Sequence, residues 1–284
     1  MLVVTGATGT IGRPLVDVLV AQGAEVRAIT RNPLAAGLPA GVDVVEGDPS
    51  RPDTVAPFLE GVTALFLHPR AVGTSAVELL ALARDRGVRR VVALSAMNVD
   101  DDLDEQPSRY RGDRNKEVED AAVGSGLEWV SLRASYFAIN ALLAWGAQIR
   151  AGDVVRGPYA SFAEAPIHER DLAEVGARAL LTDALAGRRL QLTGPQSLTH
   201  EEMVATIGDV IGRPLRYQEV PPEAATQGMV QHGFPGPFVE ALMARYAEEV
   251  GQAAPLSGEV ETILGRPART FAEWVADHAA AFRN

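Results

Sequence analysis

The stretch Leu2-Val-Val-Thr-Gly-Ala-Thr-Gly-Thr-Ile-Gly12 decides how the rest of the chain is read. Leu2 to Thr5 form a short apolar run that meets Gly6, and Gly9 and Gly12 follow at three-residue steps as a helical pattern begins at Ile11. A GxxGxxG turn directly after a strand and opening a helix is the setting in which glycines serve a phosphate. Gly6 and Gly9 let the backbone turn tightly and approach a pyrophosphate with no Cβ in the way, while Gly12 lets helix and strand pack closely. The helix start adds free amides and the positive end of its dipole. Gly6, Thr8, Gly9, Thr10, Ile11 and Gly12 are therefore the candidate phosphate cradle of a dinucleotide site.

Further along, short continuous apolar runs alternate with longer helical ones. Leu2–Thr5, Glu25–Thr30, Val42–Glu46, Thr63–Leu67, Arg89–Ser95 and Leu127–Leu132 read as buried parallel strands. Ile11–Gln22, Ser75–Arg86 and Asn115–Ser125 read as helices, each stopped by a glycine, at 23, 87 and 126. Repeated strand, helix, strand units predict an α/β fold of the Rossmann type, a doubly wound parallel sheet. The pattern loosens after Ala134, with turn-rich stretches at Gly152–Pro158 and Pro221–Gly236. The expected domains are a dinucleotide-binding domain over 1–134 and a smaller lobe over 135–284, with some segments of the latter returning to the former. In that second half, Thr199 and Glu202 predict a capping box for a helix running to Ile211 and stopped by Gly212.

About 20 residues past the glycines, an NAD enzyme carries a carboxylate for the ribose 2′-hydroxyl. Here the second strand ends in Thr30-Arg31-Asn32. A guanidinium grips a 2′-phosphate bidentately and no carboxylate stands beside it to repel that charge, so the expected cofactor is NADPH/NADP+. Asp48, after the third strand, either bonds the adenine or is an ordinary Asp-Pro turn residue. His68 ends the fourth strand at the ligand-binding edge of the sheet and either joins the cofactor site or only caps the strand.

These motifs, with Thr30-Arg-Asn-Pro33, Gly47-Asp48, Ser125-Gly-Leu-Glu-Trp-Val-Ser-Leu-Arg133 and Leu192-Thr-Gly-Pro-Gln-Ser-Leu-Thr199, resemble the NmrA-like atypical short-chain dehydrogenases/reductases, a group that includes NADPH-dependent quinone reductases. The resemblance covers nearly the whole chain. It implies a Rossmann domain, NADP(H), and a substrate pocket shared with a small C-terminal lobe, although some relatives bind the cofactor only as sensors. It also implies a Ser at the end of strand five and a Tyr-x-x-x-Lys on the next helix. Ser95 matches the first, and Lys116 resembles the lysine that holds the nicotinamide ribose, but Gly112 stands four residues before it. Tyr110 is the nearest phenol, and Tyr110 to Arg114 would need a two-residue slip to serve. Met97, Tyr136, Phe137 and His168 are candidate substrate contacts; His168 is either a backup acid or a structural residue ahead of a helix that Asp171 caps.

The missing tyrosine bears on the substrate. Hydride delivery to an ordinary ketone leaves a strongly basic alkoxide, and a positioned acid is worth roughly 100- to 10,000-fold there. A quinone or extended aromatic carbonyl leaves a phenolate-like anion with a pKa of roughly 10. Such an anion needs only hydrogen-bond donors, for example Ser95 and a water. The reading is thus an NADPH-dependent reductase of quinones or polycyclic aromatic ketones. The alternatives are a redox sensor without turnover, or an NADP-dependent epimerase or dehydratase, which normally needs the tyrosine that Gly112 replaces.

Composition narrows the remaining classes. With 26 basic and 37 acidic side chains the formal charge is -11, which disfavours nucleic acid and anionic membrane surfaces. There are 0 cysteines, so disulfides and thiolate chemistry are excluded. No apolar run approaches the length of a bilayer span and no leader pattern is evident, so a cytoplasmic protein, monomer or homodimer, is expected. His200, His232 and His278 show no metal-ligand spacing. Asp100–Glu105 reads as a solvated loop or a flap over the active site, and Phe137, Trp145, Tyr159 and Phe162 as core or as walls for a flat substrate.

Overall fold

The computed structural model describes residues 1–283. In chain order its elements begin β1 (Leu2–Thr5), α1 (Gly12–Ala21), β2 (Val26–Thr30), β3 (Asp43–Glu46), β4 (Ala64–Leu67), α2 (Pro69–Val72), α3 (Ala76–Asp85), β5 (Arg90–Ala96), α4 (Asn115–Gly124) and β6 (Glu128–Ala134). They continue with α5 (Ala147–Ala151), β7 (Val154–Gly157), β8 (Ala163–Glu164), α6 (Glu169–Leu181), β9 (Arg188–Leu192), β10 (Leu198–Thr199) and α7 (His200–Ile211). The last are β11 (Arg216–Glu219), α8 (Pro222–Gln231), α9 (Gly236–Glu249), α10 (Glu259–Leu264) and α11 (Phe271–Asp277).

The chain forms two compact units. The first comprises Met1–Asp100, Gly112–Ala134 and Glu169–Gln191. Its sheet runs β3-β2-β1-β4-β5-β6-β9, and the pairs from β3 through β6 are parallel. The order reverses between β1 and β4, where Leu2 pairs with Val26 on one side and Ala64 on the other. In doubly wound sheets the crevice at such a switch point, at the carboxyl ends of the strands, is where ligands bind. β1 and β4 are buried throughout, which is why they read as unbroken apolar runs. Leu79, Leu80 and Ala83 of α3 and Val118 and Ala122 of α4 close one face against Val3, Leu65, Leu67, Val91 and Ala93.

The second unit comprises Asp101–Arg111, Ser135–His168 and the chain from Leu192 onward. Its main core gathers Trp145, Ile149, Met203, Ile207, Phe271, Trp274 and Phe282. A satellite core of Phe238, Val239 and Met243 packs with Met229 and Phe234 between α8 and α9. Two small ladders complete it: β7 beside β11, parallel, and β8 beside β10, antiparallel.

The six expected strands and three expected helices of the first half are present with ends within two residues of those read from the sequence. The capping box is present in both directions: Glu202 N donates to Thr199 Oγ1 and Thr199 N to the Glu202 carboxylate, and Gly212 closes the helix at φ 73°. Two expectations are corrected. The turn-rich stretches contain β7 and the ten-residue α8: Pro222 stands at a helix start, where its missing N–H is no loss, and Gly233 at φ 88° follows the helix end. Asp171, expected just ahead of α6 as its cap, lies inside the first turn of a helix that already begins at Glu169.

Candidate cofactor and active site

β1 ends in Thr5, whose hydroxyl donates to Phe66 O and accepts from His68 N, each at 2.9 Å, and so fastens the ends of β1 and β4 together. Gly6 then turns at φ 64°, a left-handed conformation that favours glycine. A side chain there would press a Cβ to 2.9 Å from His68 Cβ. Gly12 needs its glycine for a different reason, since a Cβ would lie 2.1 Å from Gly6 O. The two glycines thus bring the start of α1 onto the end of β1. α1 has no side-chain cap and no acidic residue in its first turn. The amides of Thr10, Ile11 and Gly12 have no partner among the described residues. Thr8, Gly9 and Thr10 are exposed, Ile11 and Gly12 buried. Free amides behind a cradle that a Cβ would fill are what a pyrophosphate requires, so the residues present fit a dinucleotide.

Around the cradle, Arg13 donates to Ala36 O and Gly37 O and holds the loop after β2 in place. Arg31, at the start of that loop, is exposed and makes no hydrogen bond or ion pair among the described residues. Its guanidinium is available to an anion. Asp48 accepts from Ser50 N and Oγ and from Arg51 Nε, and these bonds, Ser50 foremost, hold its carboxyl below the usual range. His68 is the N-cap of α2, its Nδ1 accepting from Arg70 N at 3.3 Å. Burial lowers its pKa against the pull of Asp113. The neutral ring with Nδ1 as acceptor carries its proton on Nε2.

A polar knot lies at the same edge of the sheet, between β5, β6 and α4. Its centre is Glu119 of α4, buried at 1% side-chain exposure. It accepts from Arg133 Nη2 at 2.6 Å and Nε at 3.1 Å, from Ser131 Oγ at 2.5 Å and from Arg189 Nε at 3.0 Å. Burial alone would raise its pKa, but Arg133, Ser131 and Ser95 outweigh burial and bring it down to about 2. Arg133 also reaches Asp100 at 2.7 Å, and Asp100 stands 3.8 Å from Lys116 Nζ, which lies 3.1 Å from Asp120. The Ser95 hydroxyl, opposite Arg133 in the β5–β6 ladder, is buried; near as it is to Glu119, it makes no hydrogen bond within the protein. Ser95 thus borders the Glu119 carboxylate, which it helps to hold ionised, without a bond of good geometry to it. Ser131 and Arg133 were readable as polar residues at alternate positions of an apolar strand, hence on one face; their shared partner Glu119 was not.

Met97, just past β5, is half-buried in the same unit. Tyr110 lies in the second unit, on the 3-10 turn Pro107–Arg111, and its hydroxyl donates to Asp104 O. α4 begins at Asn115, so position 112, at φ 95°, is outside the helix: the expected Tyr-x-x-x-Lys turn does not exist here, whatever residue stands at 112. Tyr136 and Phe137 belong to the second unit, where Phe137 bridges to Ile167. His168 is fully buried with Nε2 3.4 Å from the Asp277 carboxylate. Phe162 and Trp145 are core residues, Tyr159 half-buried. Among the described residues no cluster of His, Asp and Glu could hold a metal ion, and no helix is long and apolar enough to cross a membrane.

Residues 6–183 match a family model described as NAD(P)H-binding. The chain is 35% identical over 288 residues to a (4-alkanoyl-5-oxo-2,5-dihydrofuran-3-yl)methyl phosphate reductase of Streptomyces griseus subsp. griseus, covering 99% of both chains. It is 32% identical to an NAD(P)H azoreductase of Xenophilus azovorans, again over 99% of both. Its fold is similar to that of an NADPH-dependent quinone oxidoreductase of Escherichia coli, with a TM-score of 0.81 over 98% of this chain and all of that one, at 23% identity. A Citrobacter triphenylmethane reductase complexed with NADP(H) gives 0.78 at 22% identity, over 98% of this chain and 99% of that one. The chain belongs to the NAD(P)H-binding family, among the NmrA-like atypical short-chain dehydrogenases/reductases, and is an NAD(P)H-dependent oxidoreductase.

Proposed function

We propose that this protein is an NADPH-dependent reductase of a conjugated acceptor, a quinone or polycyclic aromatic ketone, that works without a tyrosine acid. The observation that carries the reading is the Ser95 hydroxyl, buried beside Glu119 and in no well-formed hydrogen bond, near the Lys116 network in a unit whose α4 offers no phenol at the lysine's own turn. When bound, the nicotinamide supplies a hydride. Ser95 donates its free hydrogen bond to the acceptor oxygen, and solvent protonates the resulting stabilised anion. Lys116, held in place by Asp100 and Asp120, bonds the nicotinamide ribose. The uncapped amides at Thr10, Ile11 and Gly12 take the pyrophosphate, with Thr8 and Gly9 forming the rim. Arg31 takes the 2′-phosphate, Asp48 the adenine edge, and neutral His68 keeps its Nε2–H toward the cofactor. The azo and alkanoyl-oxodihydrofuran acceptors in the names of the two relatives support the class, since conjugation places the charge left by hydride on an electronegative atom in both.

The test is turnover and cofactor choice together. Purified protein should oxidise NADPH with quinones and polycyclic aromatic ketones and leave simple aliphatic ketones alone; the opposite preference would overturn the reading. Arg31→Ala should weaken NADPH by ~10- to 100-fold, the worth of a charge-assisted hydrogen bond, and leave NADH unchanged. Equal losses for both cofactors would remove Arg31 from the site.

A further inference from the structure

The second unit holds a polar cluster that the reading above leaves unused. Glu164, in β8, is buried at 3% side-chain exposure and accepts from both terminal nitrogens of Arg245 on α9, at 3.2 and 3.4 Å. Arg245 Nε stands 3.5 Å from Glu249, and the guanidinium lies 5.4 Å over the Phe162 ring. The next residue, Tyr246, packs on Phe162 at 4.3 Å between centroids and meets His200 and Tyr159 edge-on at 5.1 and 6.1 Å. Tyr136 arrives from another segment. Ser135 Oγ donates to Ala165 O and Ile167 N to Tyr136 O, so residues 135–137 run beside the chain leaving Glu164. Tyr136 is close enough to Glu164 and Arg245 to feel their charges.

Two features distinguish this cluster from a strut that merely ties α9 to β8. The hydroxyls of Tyr136 and Tyr246 make no hydrogen bond with any described residue, although both side chains are half-buried. Comparable phenols in the same unit are used: Tyr217 donates to Pro158 O and Tyr110 to Asp104 O. Beside Tyr246, Tyr159 is the one non-glycine among the described residues with positive φ, at 49°. Backbone strain of that sort collects at ligand sites, where the surrounding structure holds it for use.

We infer that Tyr136, Tyr246 and the Glu164–Arg245 pair form a subsite for the neutral, oxygen-bearing end of an aromatic acceptor. This rests on the reading that the protein reduces such an acceptor. The two phenols donate to an oxygen at that end, and Tyr159 and Tyr246 offer ring edges to the flat body of the acceptor. Burial raises both phenol pKa values, so they remain donors at any pH the fold tolerates. Charge decides neutrality. One guanidinium faces two carboxylates, Glu164 and Glu249, so the cluster has no net positive charge to offer a phosphate, sulfonate or carboxylate. An anion would have to displace Glu164 from Arg245 and leave that carboxylate buried without its cation.

The experiment measures equilibrium binding of menadione and of a naphthoquinone sulfonate to NADP+-saturated protein, beside NADPH turnover with each. Tyr136→Phe and Tyr246→Phe should each raise the menadione Kd by ~2- to 10-fold, and the double variant by about the product, with melting temperature and NADP+ affinity unchanged. Glu164→Gln should shift the preference from menadione toward the sulfonate by ~10-fold, a ratio that a merely structural role would not move. Unchanged menadione affinity in the double phenylalanine variant, or an unchanged ratio in Glu164→Gln, overturns the subsite. A wild-type protein that binds menadione but does not oxidise NADPH refutes the reductase reading and leaves the subsite standing. A wild-type protein that binds neither quinone overturns the subsite as well.

Discussion

The turn after β1 and the knot between β5, β6 and α4 lie at the same edge of the same sheet and are made of opposite materials. The turn is backbone: amides, a carbonyl and the absence of side chains, all within residues 5–13. The knot is side chain: Glu119 meets Ser131, Arg133 and Arg189 across sequence separations of 12, 14 and 70 residues, and Arg133 meets Asp100 across 33. A backbone site is set by local conformation and leaves its mark in adjacent residues. A side-chain site is set by which strands become neighbours, so its members are scattered.

The comparison can be broken first at the knot. Glu119→Ala removes a buried carboxylate and strands Arg133 and Arg189. Removing one partner of a buried pair costs about 3–5 kcal/mol. Because Arg133 keeps Asp100 and Arg189 is 44% exposed, the loss should fall near the lower end, about 3 kcal/mol in urea unfolding. A variant as stable as the parent would show that the knot contributes no stability. The folded variant should still bind NADPH, more weakly at most through Arg133, Asp100 and Lys116, since the pyrophosphate cradle is built elsewhere.

Acid sharpens the same contrast. The Glu119 carboxyl falls from an ordinary 4.5 to about 2 in the folded protein. A depressed carboxylate contributes stability that is fully present above the unfolded value and is lost as pH falls through the folded one. Between about pH 4.5 and pH 2 the parent should therefore lose up to about 3 kcal/mol that Glu119→Gln does not lose, read as the difference between their denaturant midpoints across pH. Parallel curves would mean that the carboxylate is not held ionised by its neighbours.

The smallest stability change, with the sharpest functional effect, belongs to the turn. Gly12→Ala forces a Cβ against Gly6 O and should cost about 1–3 kcal/mol while displacing the α1 amides. NADPH binding, followed by nicotinamide fluorescence, should be lost in a protein that still folds. Retained affinity would show that the close approach of α1 to β1 is dispensable.

Why the fold was legible follows from the same distinction. β1, β4 and β5 are covered on both faces, so continuous apolar runs marked them, and Gly23, Gly87 and Gly126 marked where helices stop. The second unit was harder: Pro222 and Gly233 looked like turn residues when they bound the helix α8, because proline is as much at home in a first helical turn as in a loop. A second capping box, Thr270 with Glu273, has the same signature as Thr199 with Glu202. In the site, Ser95, Lys116, Arg31 and the glycines were visible as motif residues. Glu119, Glu164 and Arg245 were not, and Asp100 was seen only as part of an acidic stretch, since a buried charge and a solvated one look alike in a sequence.

The sequence by itself determined a nucleotide-binding turn, its likeness to an NAD(P)H-dependent family and a parallel sheet, because each is written in neighbouring residues through backbone conformation and periodic burial. Tertiary structure alone decided which charges pair. Glu164 and Arg245 are 81 residues apart in the chain and 3.2 Å apart in space, and Ser95 lies beside a carboxylate that comes from a different element, 24 residues further along the chain. Chain folding sets those distances, and at short range in a buried setting distance fixes whether a polar group is satisfied, ionised or waiting for a ligand.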